Sequence, residues 1–167
     1  PKWKVNVAGD EQRDKIEFNH SRLTKLGFVK HSKVLDIFKK SSIAVVCSRW
    51  EEPFGRTSLE ASANGCAVII TNKGGLPETV TDAKILEDLN QKNLINSISN
   101  LIKNRKVRED LQKKSIKNFY LTHKFVSSNI DSYRDEKFKY SKIFNIKKNV
   151  SLRILHVTNF NERHDGR

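Results

Sequence analysis

Apolar residues change their spacing along this chain, and the change separates strands from helices. Trp3, Val5 and Val7 alternate with Lys4, Asn6 and Ala8, which predicts a strand ended by Gly9-Asp10. Residues 11 to 22 are polar with few apolar anchors, and read as a short helix or loop. A second short strand is predicted over residues 24 to 29, with Gly27 allowing close backbone approach. His31-Ser32 stand where a helix cap is expected, ahead of Val34, Leu35, Ile37 and Phe38. A helix this short gains its stability from packing, so its apolar side is expected to rest on the sheet. Residues 42 to 48 and 67 to 71 form two near-continuous apolar runs, the pattern of parallel strands covered on both faces.

Between those runs the chain is polar and turn-rich. Pro53 and Gly55 mark a loop, a helix is expected over about residues 57 to 64, and Asn64-Gly65 supplies a left-handed stop. A second loop carries Gly74-Gly75 into a short turn, and Lys84-Ile85-Leu86 adds a small strand. Beyond Asp88 the period lengthens. Leu94, Ile95, Ile98, Leu101 and Ile102 make one stripe of an amphipathic helix. Val107, Leu111 and Phe119 suggest a second helix, and Phe125, Ile130 and Tyr133 a third, followed by a basic aromatic tail through Phe144. Strands alternating with helices predict an α/β fold, an open parallel sheet with helices on both faces. In such sheets ligands bind beyond the carboxyl ends of the strands, and the loops carrying Glu52 and Gly74 both follow such ends.

Composition adjusts this picture at its edges. The 167 residues suffice for one domain, or one domain and part of another. No apolar run is long enough for a membrane helix. Met is absent and the chain opens Pro1-Lys2-Trp3, so it is expected to be a piece of a longer protein. Cys47 and Cys66 sit in or beside apolar strands, where buried reduced thiols are expected over a disulfide. Neither has the paired spacing of a zinc site. The net charge is +13, and residues 101 to 148 hold 14 lysines and arginines against 5 acidic residues. Such a surface is either a solvated helix face or a platform for anionic membrane. Nucleic acid is the weaker partner, because no aromatic platform or groove-reading motif is interleaved with the charge.

The loop-helix segment from Glu52 to Glu60 carries the candidate chemistry. Helix N-terminal amides hold phosphate, and Gly55, Arg56 and Thr57 would extend a run of them. A carboxylate can accept two hydrogen bonds from a vicinal diol, a task open to Glu60 for a ribose and to Glu52 for a sugar. Each residue has a plainer role beside this one. Thr57-x-x-Glu60 fits a capping box. Glu51 and Glu52 fit two solvated loop charges, and Arg56 fits a partner for Glu51.

The ordered block of residues 48 to 61, then Asn64-Gly65-Cys66-Ala67-Val68-Ile69, then Gly74-Gly75-Leu76-Pro77-Glu78, resembles GT-B retaining glycosyltransferases. The similarity is to the donor-binding C-terminal half of glycosyltransferase group 1, or family 4. That family includes mannosyltransferases and the sucrose-phosphate and glycogen synthases. Its two motif glutamates, eight positions apart, fall on Glu52 and Glu60, and the likeness spans residues 1 to about 146. It implies a Rossmann-like half-fold incomplete at its N-terminal edge, where a strand and a cationic segment would precede Pro1.

The resemblance also implies roles. Glu52 would be the catalytic residue contacting the donor sugar, and Glu60 the ribose contact. Pro53, Phe54, Gly55, Arg56 and Thr57 would surround the diphosphate, and Val29 would lie near the base. It implies no metal and no cofactor, with a nucleotide-diphosphate sugar as donor. The acceptor, a glycan or lipid-linked sugar, would be met by an N-terminal domain outside this chain, in a cytoplasmic enzyme of polysaccharide biosynthesis, peripheral to the inner membrane face where it meets lipid. The helix from about residue 125 would cross back to that N-terminal domain. Residues 147 to 167 read as a charged linker and the first strand of a second transferase unit, or as an added edge strand. On this expectation the isolated chain has little or no transferase activity. The plainer alternative is a degenerate, non-catalytic half that binds protein or membrane.

Overall fold

A computed structural model describes residues 3–9 and 17–143. They fall into two compact units, divided between Thr122 and His123. The expected boundary at residue 147, the strand over residues 152 to 158, and residues 11 to 16 of the polar segment 11 to 22 lie outside the described residues.

The first unit is α/β. β1 (Val5–Ala8) pairs in parallel with β2 (Leu23–Gly27), Val5 opposite Leu23, and the register slips between Val7 and Ala8. β3 (Ile43–Val46), β4 (Ala67–Thr71) and β5 (Lys84–Leu86) form a second parallel sheet in the order β3-β4-β5. Ile43 lies opposite Ala67, and Ile69 opposite Lys84. The strands were expected in one sheet; among the described residues they form two.

β4 is the centre of the unit, and all five of its residues are buried. Side chains alternate across a strand, so it feeds two cores. Val68 and Ile70 meet Ala44, Ala61, Leu76 and the half-buried Phe38. Ala67 and Ile69 meet Leu86, Leu101, Ile98 and Leu111. α1 (His31–Lys39) and α2 (Arg56–Ala63) therefore supply one face, while α3 (Gln91–Lys103) and α4 (Arg105–Lys117) supply the other. Helices do cover both faces, as the alternation predicts. The apolar run at residues 42 to 48 was read as equally covered, and here the structure differs. Among the described residues β3 is an edge strand, and Val45 is 45% exposed. A central strand has neighbours on both sides whose helices bury it, and an edge strand has them on only one.

Helix ends also depart from the sequence reading. α1 is capped by the Lys30 backbone with no side-chain cap, so His31 and Ser32 lie inside the helix. α2 begins after Gly55 at φ +84°, so Thr57 is not a cap and the capping box does not form. Its end is as expected: Cys66 N–H donates to Ala61 O at 3.1 Å and Gly65 N–H to Ser62 O at 2.9 Å. Burial pushes the Cys66 thiol up to about 11, and no disulfide forms with Cys47.

The second unit is described through α5 (His123–Ile143), where Arg134 pairs with Asp131 at 3.2 Å and Lys137 lies 5.2 Å from the Tyr133 ring centroid. No helix among the described residues is long and apolar enough to cross a membrane.

Candidate functional site

The carboxyl ends of β3 and β4 are tied by one buried hydroxyl. Thr71 Oγ1 accepts Ser48 N–H and donates to Ser48 O, both at 2.9 Å. From this tie two loops leave side by side: residues 49–55 after β3, and residues 72–75 after β4. Glu51 Oε2 accepts the Gly74 N–H at 2.6 Å, and Lys73 Nζ lies 3.4 Å from Glu51 Oε1. Gly75 N–H donates to the Glu52 carbonyl at 2.7 Å. Gly74 has φ +52°, and a Cβ there would collide with the Glu52 backbone nitrogen and oxygen. A Cβ at Gly75 would stand 2.9 Å from Pro53 O. The glycine pair is thus a requirement of backbone-to-backbone approach, beyond a simple turn signal.

Two adjacent glutamates consequently do different things. Glu51 is spent on the neighbouring loop. Glu52 is half-buried as a residue, and its carboxylate has no hydrogen-bond or ion-pair partner among the described residues, while its backbone is pinned. Pro53 and Phe54 follow in the open, Phe54 being 57% exposed.

Gly55 then turns the chain into α2. It is buried, and a Cβ there would lie 2.6 Å from Leu76 Cδ2 and 2.9 Å from Ser58 Oγ. Ser58 Oγ donates to Gly55 O at 2.6 Å and meets Thr79 Oγ1 at 2.7 Å; Thr79 Oγ1 also lies 2.8 Å from Leu76 O. This buried hydroxyl chain locks the start of α2 to the 3₁₀ turn Leu76–Thr79. The helix start leaves the Arg56 and Thr57 amides without an acceptor inside the helix. Thr57 is exposed beside them.

Glu60, one turn on, is not a cap. Its Oε1 accepts from Arg56 Nε at 2.8 Å and lies 2.8 Å from His31 Nε2. Burial works against its charge, but the hydrogen bonds from Arg56 and His31 outweigh it and hold the carboxyl below its ordinary range. Arg56 therefore pairs with Glu60, and Glu51, the partner weighed for it, is committed to Lys73 and Gly74. His31 is the residue that local pattern does not single out, because its position ahead of an apolar helix signals only a cap. Val29 is half-buried two residues before His31, on the segment leaving β2. The structure thus gathers Glu60, Arg56 and His31 in one cluster, and Glu52, Pro53, Phe54 and Gly55 on the loop entering the same helix. Among the described residues no three His, Cys, Asp or Glu side chains gather as a metal site.

Comparison with known proteins settles the family. The model of "Glycosyl transferases group 1" matches residues 1–118. The chain belongs to that family. It is similar to the spore coat protein SA of Bacillus subtilis (strain 168), 31% identical over 115 residues that make up 66% of this chain and 29% of the relative. It is also similar to the mannosylfructose-phosphate synthase of Agrobacterium fabrum, 36% identical over 75 residues, which are 45% of this chain and 14% of that enzyme. Anabaena Alr3699/HepE, solved in complex with UDP-glucose, shares the fold with a TM-score of 0.58 at 19% identity. That match covers 77% of this chain and 41% of HepE. This member of the glycosyl transferases group 1 therefore spans well under half the length of each of these proteins.

Proposed function

We propose that this chain is the donor-binding half of a retaining glycosyltransferase that moves a sugar from a nucleotide diphosphate to an acceptor hydroxyl. The observation that carries the reading is the Glu52 carboxylate. It is unpartnered among the described residues, on a half-buried residue whose backbone is held by Gly75, at the carboxyl rim of a parallel sheet. A carboxylate held open in this way is prepared for hydroxyl donors.

On this reading Glu52 orients the donor sugar and stabilises the positive charge that develops as the glycosidic bond loosens. Gly55 and the Arg56 and Thr57 amides receive the departing diphosphate, whose charge the positive end of α2 stabilises. Pro53 and Phe54 shape the entrance, Glu60 takes the ribose diol, and Val29 borders the base. Arg56 spends only its Nε on Glu60. The remaining guanidinium donors bond no described residue, and on this reading they meet the diphosphate in place of a metal. That HepE was solved with UDP-glucose supports a nucleotide sugar as ligand. An acceptor glycan or lipid-linked sugar, bound through another domain at the inner membrane face during polysaccharide synthesis, completes the proposal.

The test is titration of the chain with UDP, GDP, UDP-glucose and GDP-mannose, followed by ligand-observed NMR. Saturable binding of one nucleotide series, weakened by Glu60→Ala, supports the reading. Absence of binding by all four ligands sinks it.

A further inference from the structure

His31 and Glu60 are 29 positions apart, on different helices, and they meet at 2.8 Å. Their arrangement has three features. An ionised carboxylate only accepts hydrogen bonds, so the proton of this contact sits on His31 Nε2. Arg56 Nε reaches the same oxygen, Oε1, also at 2.8 Å. The other oxygen, Oε2, makes no hydrogen bond to any described residue. Glu60 is thus held by one oxygen and open at the other, with its side chain 16% exposed.

The two anchors are not equivalent. Arg56 belongs to Glu60's own helix, one turn earlier, and its side chain is 67% exposed. A long, exposed arginine can follow the glutamate through its broad terminal torsion without fixing it. His31 comes from α1, so its imidazole supplies a reference point outside α2. Two donors converging on Oε1 from different helices define the carboxylate plane, and with it the direction of Oε2.

We propose that His31 is a positioning residue, which by holding Glu60 Oε1 from α1 presents Oε2 to the 2′,3′-diol of the donor's ribose. This rests on the reading that Glu60 takes the ribose. His31 touches neither sugar nor phosphate in this scheme; it acts through Glu60.

The experiment measures the diol's contribution directly. UDP and GDP, each beside its 2′,3′-dideoxy counterpart, are titrated calorimetrically into the wild-type chain and into His31→Ala, His31→Gln and Glu60→Ala. The affinity ratio of ribose to dideoxyribose nucleotide is the diol advantage. It is expected to fall about fivefold in His31→Ala, the scale of one partly exposed charge-assisted contact. His31→Gln, whose amide still donates, is expected to recover part of it. Affinity for the dideoxy nucleotide is expected to stay level across the His31 variants, which shows that the fold is intact. A diol advantage in His31→Ala equal to wild type, with Glu60→Ala abolishing it, overturns the role of His31 alone. Parallel loss of ribose and dideoxyribose affinity in His31→Ala makes the histidine structural and also overturns it. No diol advantage in the wild type, or no binding by either nucleotide, overturns the ribose reading and the inference together.

Discussion

Glu51 Oε2 accepts the Gly74 amide at 2.6 Å, and this one contact separates two glutamates that are neighbours in sequence. Glu51 becomes part of the scaffold, clamping the loop after β3 to the loop after β4. Glu52 is left as the open carboxylate. The separation depends on backbone approach at Gly74, where a Cβ would collide with Glu52.

Gly74→Ala is therefore expected to destabilise the first unit by about 1–3 kcal/mol, from the positive φ and the clash together. It should also weaken nucleotide-sugar binding, because the loop bearing Glu52 must move. Thermal unfolding and a donor titration of the variant check both effects. An unchanged melting temperature would show that the loops are not clamped.

Glu52→Ala is expected to change stability by no more than about 0.5 kcal/mol, since its carboxylate has no partner to lose among the described residues. Affinity for a nucleotide sugar should fall, while affinity for the bare nucleotide diphosphate stays the same. Equal losses for both ligands would move Glu52 away from the sugar.

Ser58→Ala removes a buried hydroxyl that bonds Gly55 O and meets Thr79 Oγ1. A cost of about 1–3 kcal/mol is expected, the range for leaving buried polar partners unpaired. Denaturant unfolding measures it. Ser58→Ala with wild-type stability would mean that the hydroxyl chain does not hold the start of α2.

Glu60 makes the stability depend on acid. Its folded-state carboxyl lies below the ordinary value of 4.5 because Arg56 and His31 bond to the charged form against the opposing effect of burial. Above 4.5 this contribution is fully present. As the pH falls below 4.5 and through the depressed folded value, the unfolded chain takes up its proton first and the contribution is lost. The difference in melting temperature between wild type and Glu60→Gln should be largest near neutrality and shrink toward pH 3. A difference that stays constant over that range would contradict the ion-pair cluster.

The elements themselves were legible in the sequence because their signals are local. The apolar run at Ala67–Thr71 is a strand buried on both faces, and Asn64-Gly65 ends a helix where it stands. The ordered block from Ser48 to Glu78 marked both the family and the rim of the candidate site. Those readings need only neighbouring side chains, whose spacing decides which face is apolar and where a backbone can turn. What remained undecided were choices between residues with the same local claim. Glu51 and Glu52 could both be solvated loop charges, Glu60 could be a cap or a ribose contact, and His31 stood only as a cap. Each was decided by contacts between 22 and 29 positions apart in sequence: Lys73 with Glu51, Gly74 with Glu51, and His31 with Glu60. Hydrogen bonds of that kind depend on the packing of separate elements to within a fraction of an ångström, which is information that no local pattern carries. The stretch from Glu52 to Glu60 was marked by its residues as a site, and only the packed loops and helices around it determined what each of its carboxylates faces.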